Sequence, residues 1–256
     1  MSAIERSRSQ LALDPRARYL PPVDRRGYVL GSGEPLAEAL HRLTTEQFTI
    51  AIDALSDPDA DVGIATSATL ASITRIAAVL RLVRQSIGDE SYRTELNILR
   101  DTNTLLSGLL AGQPELRALD QLRAHYEPVI RPTALTELRG QLLHRHQLRR
   151  LQTLSDGAAL QHALHRLRRA RARFAAWPID SRMDAGMYGR EPVSNSFDSL
   201  SAGLGRTYGR GRKHWRAAQN GDSEALPKWH RECRHLRHQL EVLSSCWPEV
   251  IGATAS

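Results

Sequence analysis

The sequence predicts an all-α protein of eight helices. Helix-forming residues dominate its 256 residues, aromatic residues make up only 5%, and no segment shows the apolar and polar alternation of a half-buried strand. Apolar residues recur instead at steps of three and four, the spacing that places them on one face of a helix. The predicted helices span residues 35–56, 63–86, 89–111, 114–128, 133–154, 156–175, 196–219 and 222–245.

Each predicted helix ends at residues that disfavour helical geometry. The breaks are Pro58, Gly88, residues 112–114, Pro128 with Pro132, residues 156–157 and the polar segment 181–196. Long helices joined by short links pack most easily as antiparallel neighbours. We therefore expect two four-helix bundles or one merged array of eight helices.

The two halves of the sequence resemble each other, which favours two related four-helix bundles. When Leu80 is aligned with Leu240, apolar positions of one half coincide with apolar positions of the other. The segments EPLAEALHRLTTEQF and DSLSAGLGRTYGRG precede the aligned helices at equivalent places. We predict a flexible lead-in over residues 1–30 and one helical domain over residues 31–250, with halves 31–130 and 131–250.

Positive charge is concentrated in the second half. Residues 131–256 carry 21 Arg or Lys against 11 Asp or Glu, a net formal charge of +10, whereas residues 1–130 carry −3. Nearly all the cations are arginine, which suits bidentate phosphate recognition and is equally typical of a GC-rich genome. The charge therefore favours an anionic partner for the second half.

Residues 203–240 present cations at helical spacing beside an apolar stripe. Like charges three and four residues apart repel, so a bound polyanion is one reason to keep them, and a solvated basic face is the other interpretation. The predicted buried seam of helix 222–245 consists of Trp229, Cys233, Leu236, Leu240 and Leu243, flanked by His230, Arg231, Arg234, Arg237 and His238. Helix 196–219 carries Arg206, Arg210 and Lys213 beside an apolar side of Leu200, Leu204 and Tyr208.

Other classes of site are not indicated. Histidine pairs such as His162 and His165 lack the thiolate or carboxylate that would complete a metal site, and the glycines of GSGEP and GRGRK lack the lysine and hydroxyl residue of a nucleotide loop. Cys233 and Cys246 predict reduced thiols. The charged N-terminus and the later segments predict neither a signal peptide nor a transmembrane span. We expect no metal and no cofactor.

Five segments resemble those of a known family in their order and spacing. They are GEPLAEALHRLTTEQF, RIAAVLRLVRQSIGDESYRTELNILRDTNTLLS, RARARFAAWPID, FDSLSAGLGRTYGRGRKHW and WHRECRHLRHQLEVLSSCWP. Over roughly residues 33–248, the chain resembles the CHAD domain, an α-helical module named for its histidines and known as a binder of inorganic polyphosphate. The resemblance implies a domain of two four-helix bundles that binds polyphosphate and is not an enzyme.

The chain departs from this family at the namesake histidines. Where the first half of the family usually carries a histidine followed by basic residues, this chain has Ser67, Leu70, Ala71 and Thr74, with Arg84 nearby, and the histidine of the second half is replaced by Pro227. The polyphosphate-binding residues that the resemblance implies, together with His230 one turn after Pro227, are Arg75, Arg81, Arg93, Arg100, Arg206, Arg210, Arg212, Lys213, His230, Arg231 and Arg234.

Three classes of function follow from these observations. The first is non-enzymatic binding of polyphosphate or a similar polyanion in an arginine-rich groove between helices. The second is a scaffold for protein partners on the same fold, which the cations missing from the first half favour. The third, a phosphohydrolase component, is disfavoured because family members are often joined to a triphosphatase domain whose strands are missing here.

Polyphosphate binding leads to expectations about the partners and the cellular location of the protein. Nucleic acid is a weaker partner than polyphosphate, because stacking aromatics and known nucleic-acid-reading motifs are missing from the sequence. We expect a cytoplasmic protein without a membrane partner. Association with polyphosphate granules and with polyphosphate-associated proteins is a further expectation.

Overall fold

A computed structural model describes residues 28–31, 33–110, 113–126, 132–155, 158–175 and 193–246. These residues form nine α-helices and one 3₁₀ turn, and no strand occurs among them. The helices are α1 (Leu36–Ser56), α2 (Val62–Leu82), α3 (Arg84–Ile87), α4 (Asp89–Ser107), α5 (Gln113–Tyr126), α6 (Pro132–Ser155), α7 (Ala158–Phe174), α8 (Asp198–Gln219) and α9 (Ala225–Leu243). The all-α prediction is confirmed for this part of the chain.

The predicted and observed helices agree within a few residues, with one difference. The predicted helix 63–86 is divided, because the backbone bends at Val83, where φ is −90° and ψ is 11°. The short helix α3 follows the bend and ends at Gly88, whose φ of 78° is a conformation that glycine adopts without strain. The described residues therefore contain nine helices where the sequence predicts eight.

Four helices close a ring around the apolar core. In this ring α1 packs against α2, α2 against α4, α4 against α7, and α7 back against α1. Phe174 of α7 is buried in this core, and the centroid of its aromatic side chain lies 6.0 Å from that of Phe48 and 5.1 Å from that of His41, both on α1. Because α7 belongs to the predicted second half, the ring crosses the predicted boundary at residue 130. The division into two related four-helix bundles is not confirmed.

The helices α8 and α9 pair with each other and pack against α2. The buried face of α9 differs from the predicted seam: Trp229, Cys233, Leu236 and Leu240 are only half-buried, and Leu243 alone among the seam residues is buried. The buried positions Glu232, His235 and Gln239 are polar instead. Gln239 Nε2 donates to the Ala78 carbonyl of α2 at 3.2 Å, so this polar face is the one turned toward α2.

The apolar side of α8 also differs from the prediction. Its buried residues are Leu200, Gly203 and Thr207, which recur at steps of three and four on one face. Leu204 is half-buried, and Tyr208 is 55% exposed. This face contains the small residues Gly203 and Thr207, and at Gly203 the backbone of α8 comes close to that of α2.

Residues 28 and 30, at the end of the predicted lead-in, are buried in the core. Tyr28 is buried, and its hydroxyl donates to the Arg75 carbonyl at 2.8 Å. The Leu30 amide donates to the Val242 carbonyl of α9 at 3.1 Å. The remainder of the predicted lead-in, residues 1–27, lies outside the described residues.

Helix α2 is the most central element of the fold. By length and a mean hydropathy of 1.5 it is apolar enough to cross a membrane, although no membrane span is predicted from the sequence. Its most apolar window is 56% buried inside the protein, and it packs against α1, α4, α8 and α9. A helix buried in a protein core meets the same criteria of length and hydropathy, so these criteria alone do not indicate a membrane span.

Candidate functional site

Five arginines from three parts of the chain converge where the bend after α2 meets α8 and α9. Arg81 Nη1 donates to Glu232 Oε2 at 2.8 Å, and Arg210 Nε lies 3.6 Å from the same oxygen. Burial lowers the pKa of Arg206, and the charges of Arg84 and Arg210 lower it further. Arg231 is close enough for its charge to lower the pKa of Arg81. The arginine cluster is defined here as Arg81, Arg84, Arg206, Arg210 and Arg231.

A glycine on α8 permits this convergence. A Cβ atom at Gly203 would lie 2.5 Å from the Leu82 carbonyl oxygen and 2.7 Å from the Arg81 carbonyl oxygen, far inside van der Waals contact. Only the missing side chain allows α8 to cross the end of α2 at this distance. Arg206 and Arg210 follow Gly203 by three and seven residues, so they lie on the same face of α8 as the crossing point.

Glu232 provides a counter-charge inside the cluster. Its side chain is 4% exposed and that of Arg81 is 8% exposed, so the pair is shielded from water. A charge-assisted hydrogen bond between such groups is about twice as strong as a neutral one. Glu232 therefore stabilises Arg81 at a position where the neighbouring arginines repel it.

A second carboxylate lies at the rim of the cluster. Arg84 Nε and Nη2 donate to the two oxygens of Asp89 at 2.8 and 3.0 Å, and the Arg84 guanidinium lies 4.9 Å from the centroid of the Tyr92 ring. These hydrogen bonds from Arg84 lower the pKa of Asp89, and the nearby charges of Arg93 and Arg206 contribute. Arg93 Nη2 is 3.8 Å from Asp89 Oδ2, and its side chain is 72% exposed.

Three buried N–H groups of the cluster make no hydrogen bond within the described residues. They belong to Arg81 Nε, Arg206 Nη2 and Arg210 Nε. A buried donor without a partner costs about 1–3 kcal/mol, and native proteins contain few of them. Burial lowers the pKa of Arg81, and although Glu232 opposes this shift, Arg210 and Arg231 add to it. Within the described part of the chain, the cluster is short of negative charge and of hydrogen-bond acceptors.

A buried histidine adjoins the cluster on α9. His235 is 7% exposed, and its Nδ1 atom has no hydrogen-bond partner among the described residues. Burial lowers the pKa of His235 to about 2, and the charges of Arg81, His238, Arg231 and Arg234 contribute. The imidazole is therefore neutral at physiological pH and adds no positive charge to the site.

This histidine makes folding stability depend on pH. The unfolded chain binds a proton at His235 below its ordinary pKa of 6.5, but the folded protein does not until the pH approaches 2. The free energy of unfolding should fall as the pH falls below 6.5, by about 1.4 kcal/mol for each unit. Urea unfolding at pH 7 and pH 5 should show a loss about 2 kcal/mol larger for the wild type than for His235→Asn.

The matched control is His230→Asn, on the exposed face of the same helix. It should keep the pH dependence of the wild type. An identical pH dependence in His235→Asn and the wild type would contradict a buried neutral imidazole at residue 235.

The structure brings together some of the predicted site residues and separates others. Arg75 is buried six residues before Arg81, on a different face of α2, with its guanidinium 5.1 Å from the Tyr28 ring centroid. Arg212 lies 5.8 Å from the Tyr208 ring centroid and Arg100 is exposed on α4, and neither shows a contact with the cluster. Of the predicted site residues, the cluster contains Arg81, Arg206, Arg210 and Arg231, and its rim contains Arg93. Three further predicted residues are exposed neighbours along α8 and α9: Lys213, His230 and Arg234.

Sequence reasoning missed the groups that shape the site. Arg84 lies outside the residues selected from the sequence, and no role in binding is predicted there for Glu232 or His235. A signal was present for Glu232, the single acid within WHRECRHLRH, because one acid among so many cations is a natural ion-pair partner. Within the described residues, no group of three or more His, Cys, Asp or Glu side chains is placed to hold a metal ion.

One comparison with known proteins covers the helices that carry the arginine cluster. A family model of the CHAD domain matches residues 67–256, which is more than half of the chain and includes Arg81, α8 and α9. Comparison with curated proteins found no match, and comparison with solved structures found none either. The similarity predicted for residues 33–66 lies outside the matched part. On the extent of the family match, the chain belongs to the CHAD domain family.

Proposed function

We propose that this protein binds inorganic polyphosphate, or a similar polyanion, at the arginine cluster and does not catalyse a reaction. The observation that carries this proposal is the set of buried donors Arg81 Nε, Arg206 Nη2 and Arg210 Nε, which make no hydrogen bond within the described residues, although Arg210 Nε lies 3.6 Å from Glu232 Oε2. Phosphate oxygens are strong acceptors for guanidinium groups. Membership of the CHAD family, a binding module associated with polyphosphate, supports the same ligand.

The spacing of the cations along α8 suits a polymer better than a single phosphate. Arg206, Arg210 and Lys213 follow one another at steps of four and three on one face, which separates them by roughly 5–6 Å. A polyphosphate chain carries about one negative charge per repeating unit, so successive units meet successive cations. Because binding of this kind releases counterions, affinity should fall steeply as the salt concentration rises.

The proposal contains no catalytic step. The two carboxylates of the site, Glu232 and Asp89, are held in ion pairs with Arg81 and Arg84, so neither is poised as an acid, base or nucleophile. A binding protein of this type would act in the cytoplasm, at polyphosphate granules and with proteins that associate with the polymer.

A scaffold function is the second candidate, and one observation favours it. A cleft of about 230 Å³ lies between α8 and α9, lined by Tyr208, Trp215, Trp229, Cys233 and Leu236 among others. Tyr208 and Trp215 are exposed large apolar side chains, of the kind enriched at protein interfaces. The binding experiment below decides between the two functions.

The test is calorimetric titration of a 100-unit polyphosphate at fixed low salt. Arg206→Gln/Arg210→Gln removes two cations that carry buried donors without hydrogen bonds, and we expect its affinity to fall at least about a hundredfold, since each charge-assisted contact contributes about 1.5–3 kcal/mol. The control Arg166→Gln/Arg169→Gln makes the same change in charge at two exposed residues of α7, and should bind within about threefold of the wild type.

Two results would contradict the proposal. Equal losses in both double variants would mean a diffuse electrostatic attraction without a site. A wild-type protein that binds no polyphosphate at low salt would exclude polyphosphate binding and leave the scaffold function.

A further inference from the structure

We propose that Glu232 is a built-in competitor of the ligand, which makes the arginine cluster respond to long polyphosphate and not to small phosphates. This inference rests on the proposed function of the cluster. It assigns to Glu232 a role in specificity: its carboxylate takes the place at Arg81 that one phosphate group would otherwise occupy.

The geometry of Glu232 is that of a bound anion. Glu232 Oε2 accepts from Arg81 Nη1 at 2.8 Å and lies 3.6 Å from Arg210 Nε. Carboxylate and phosphate oxygens meet a guanidinium group in the same way, often through two parallel hydrogen bonds. Here only one such bond is formed, and Arg81 Nε remains without an acceptor. The Glu232 carboxylate thus binds Arg81 but leaves the Arg81 Nε–H group without a hydrogen bond.

A tethered carboxylate is a strong competitor of a small ligand. Because Glu232 is held on α9 beside Arg81, its effective concentration at that arginine is on the order of millimolar or higher. Orthophosphate or pyrophosphate must displace it, or bind beside it against its negative charge. A long polymer also contacts Arg206, Lys213 and Arg231, and these additional contacts offset the competition.

The same carboxylate keeps the cluster together when no ligand is present. Without it, Arg81 would be a buried cation surrounded by Arg210 and Arg231, whose charges already lower its pKa. Replacing Glu232 by glutamine keeps the shape of the side chain and removes its charge. The variant should be less stable than the wild type in buffer, and phosphate should raise its melting temperature by more, because the ligand supplies the missing negative charge.

A second ion pair with a buried carboxylate, between Glu95 and Arg173, provides a matched control. Glu95 of α4 is also buried, and its two oxygens accept from Arg173 Nε and Nη2 of α7 at 2.6 and 3.0 Å. Glu95→Gln makes the same change in charge and breaks a comparable ion pair, but it does so in the helix ring. Any effect shared by both variants reflects net charge or lost stability, and not the position of Glu232.

The experiment measures the dissociation constants of tripolyphosphate and of a 100-unit polymer at one low salt concentration. We expect Glu232→Gln to bind tripolyphosphate at least about tenfold more tightly than the wild type, with a smaller gain for the polymer. Glu95→Gln should change both constants by less than about threefold. If the wild type binds the polymer but Glu232→Gln binds tripolyphosphate no better, or less well, the inference is wrong while the proposed function stands.

A wild type that binds neither ligand would overturn the proposed function, and this inference with it. If Glu232→Gln lacks a helical circular dichroism spectrum in buffer, the polymer added before refolding should restore that spectrum, since it would replace the lost counter-charge. Failure of the polymer to restore folding would overturn the role proposed for Glu232.

Discussion

Gly203→Ala should lower the free energy of unfolding by about 2–3 kcal/mol, although alanine is the better helix former. The added Cβ atom would lie 2.5 Å from the Leu82 carbonyl oxygen and 2.6 Å from Leu82 Cα. Both are backbone atoms of α2, so no side-chain rotation relieves the clash, and overpacking of this kind costs about 1–3 kcal/mol or more. Urea unfolding followed by circular dichroism measures the change.

The same substitution should also weaken polyphosphate binding. To accommodate the Cβ atom, α8 must move away from α2 and carry Arg206 and Arg210 away from Arg81. The control is Gly205→Ala on the same helix, where a Cβ atom would meet nothing within 4 Å; it should stabilise the protein by up to about 1 kcal/mol. If both alanine variants were stabilised equally, the close crossing of α8 and α2 would be disproved.

Arg81→Met should destabilise the protein by about 3–5 kcal/mol, the usual cost of leaving a buried charge without its partner. Glu232 is 4% exposed, and among the described residues it would keep only the longer contact with Arg210, 3.6 Å away, as a counter-ion. Arg93→Met is the control: its ion pair with Asp89 is solvent-exposed and 3.8 Å long, and its loss should cost less than about 1 kcal/mol. Denaturant unfolding at pH 7 measures both changes.

A double variant identifies the cause of this loss. In Arg81→Met/Glu232→Leu both charges are gone, and buried ion pairs replaced by apolar residues are often neutral in stability. We expect the double variant to be more stable than Arg81→Met alone. A double variant that is less stable than Arg81→Met would show that Glu232 does not need Arg81 as its partner.

The helices were predictable from the sequence because their signals are local. Apolar residues recur at helical spacing, and glycine or proline lies at nearly every break. The bend at Val83 has no such signal, since valine is tolerated within helices. That bend lies where α8 crosses the end of α2, so it belongs to tertiary structure. The closure of the ring by α7 likewise depends on packing between residues far apart in sequence.

The candidate site was predictable in part. Arg206, Arg210 and Arg231 follow from helical spacing, because residues three and four apart share a face. Arg75 and Arg81 looked equivalent in the sequence, yet six positions on a helix place their side chains on different faces. The polar face of Glu232, His235 and Gln239 resembles a solvated surface in sequence. Its burial becomes apparent only when α2 supplies the partners.

The closure of the ring by α7 has a consequence for synthesis on the ribosome. The chain up to residue 130 contains α1 and α4, which both pack against α7 in the folded protein, so core residues such as Leu43 and Leu99 lack that cover until α7 is synthesised. Glu95 likewise lacks its ion-pair partner until Arg173, 78 residues later in the chain, has been synthesised. The nascent chain thus exposes apolar surface of α1 and α4 while α5, α6 and α7 are translated, which takes several seconds at roughly 5–20 residues per second. We expect protection by a chaperone to matter in that interval, before α7 covers the apolar residues of α1 and α4.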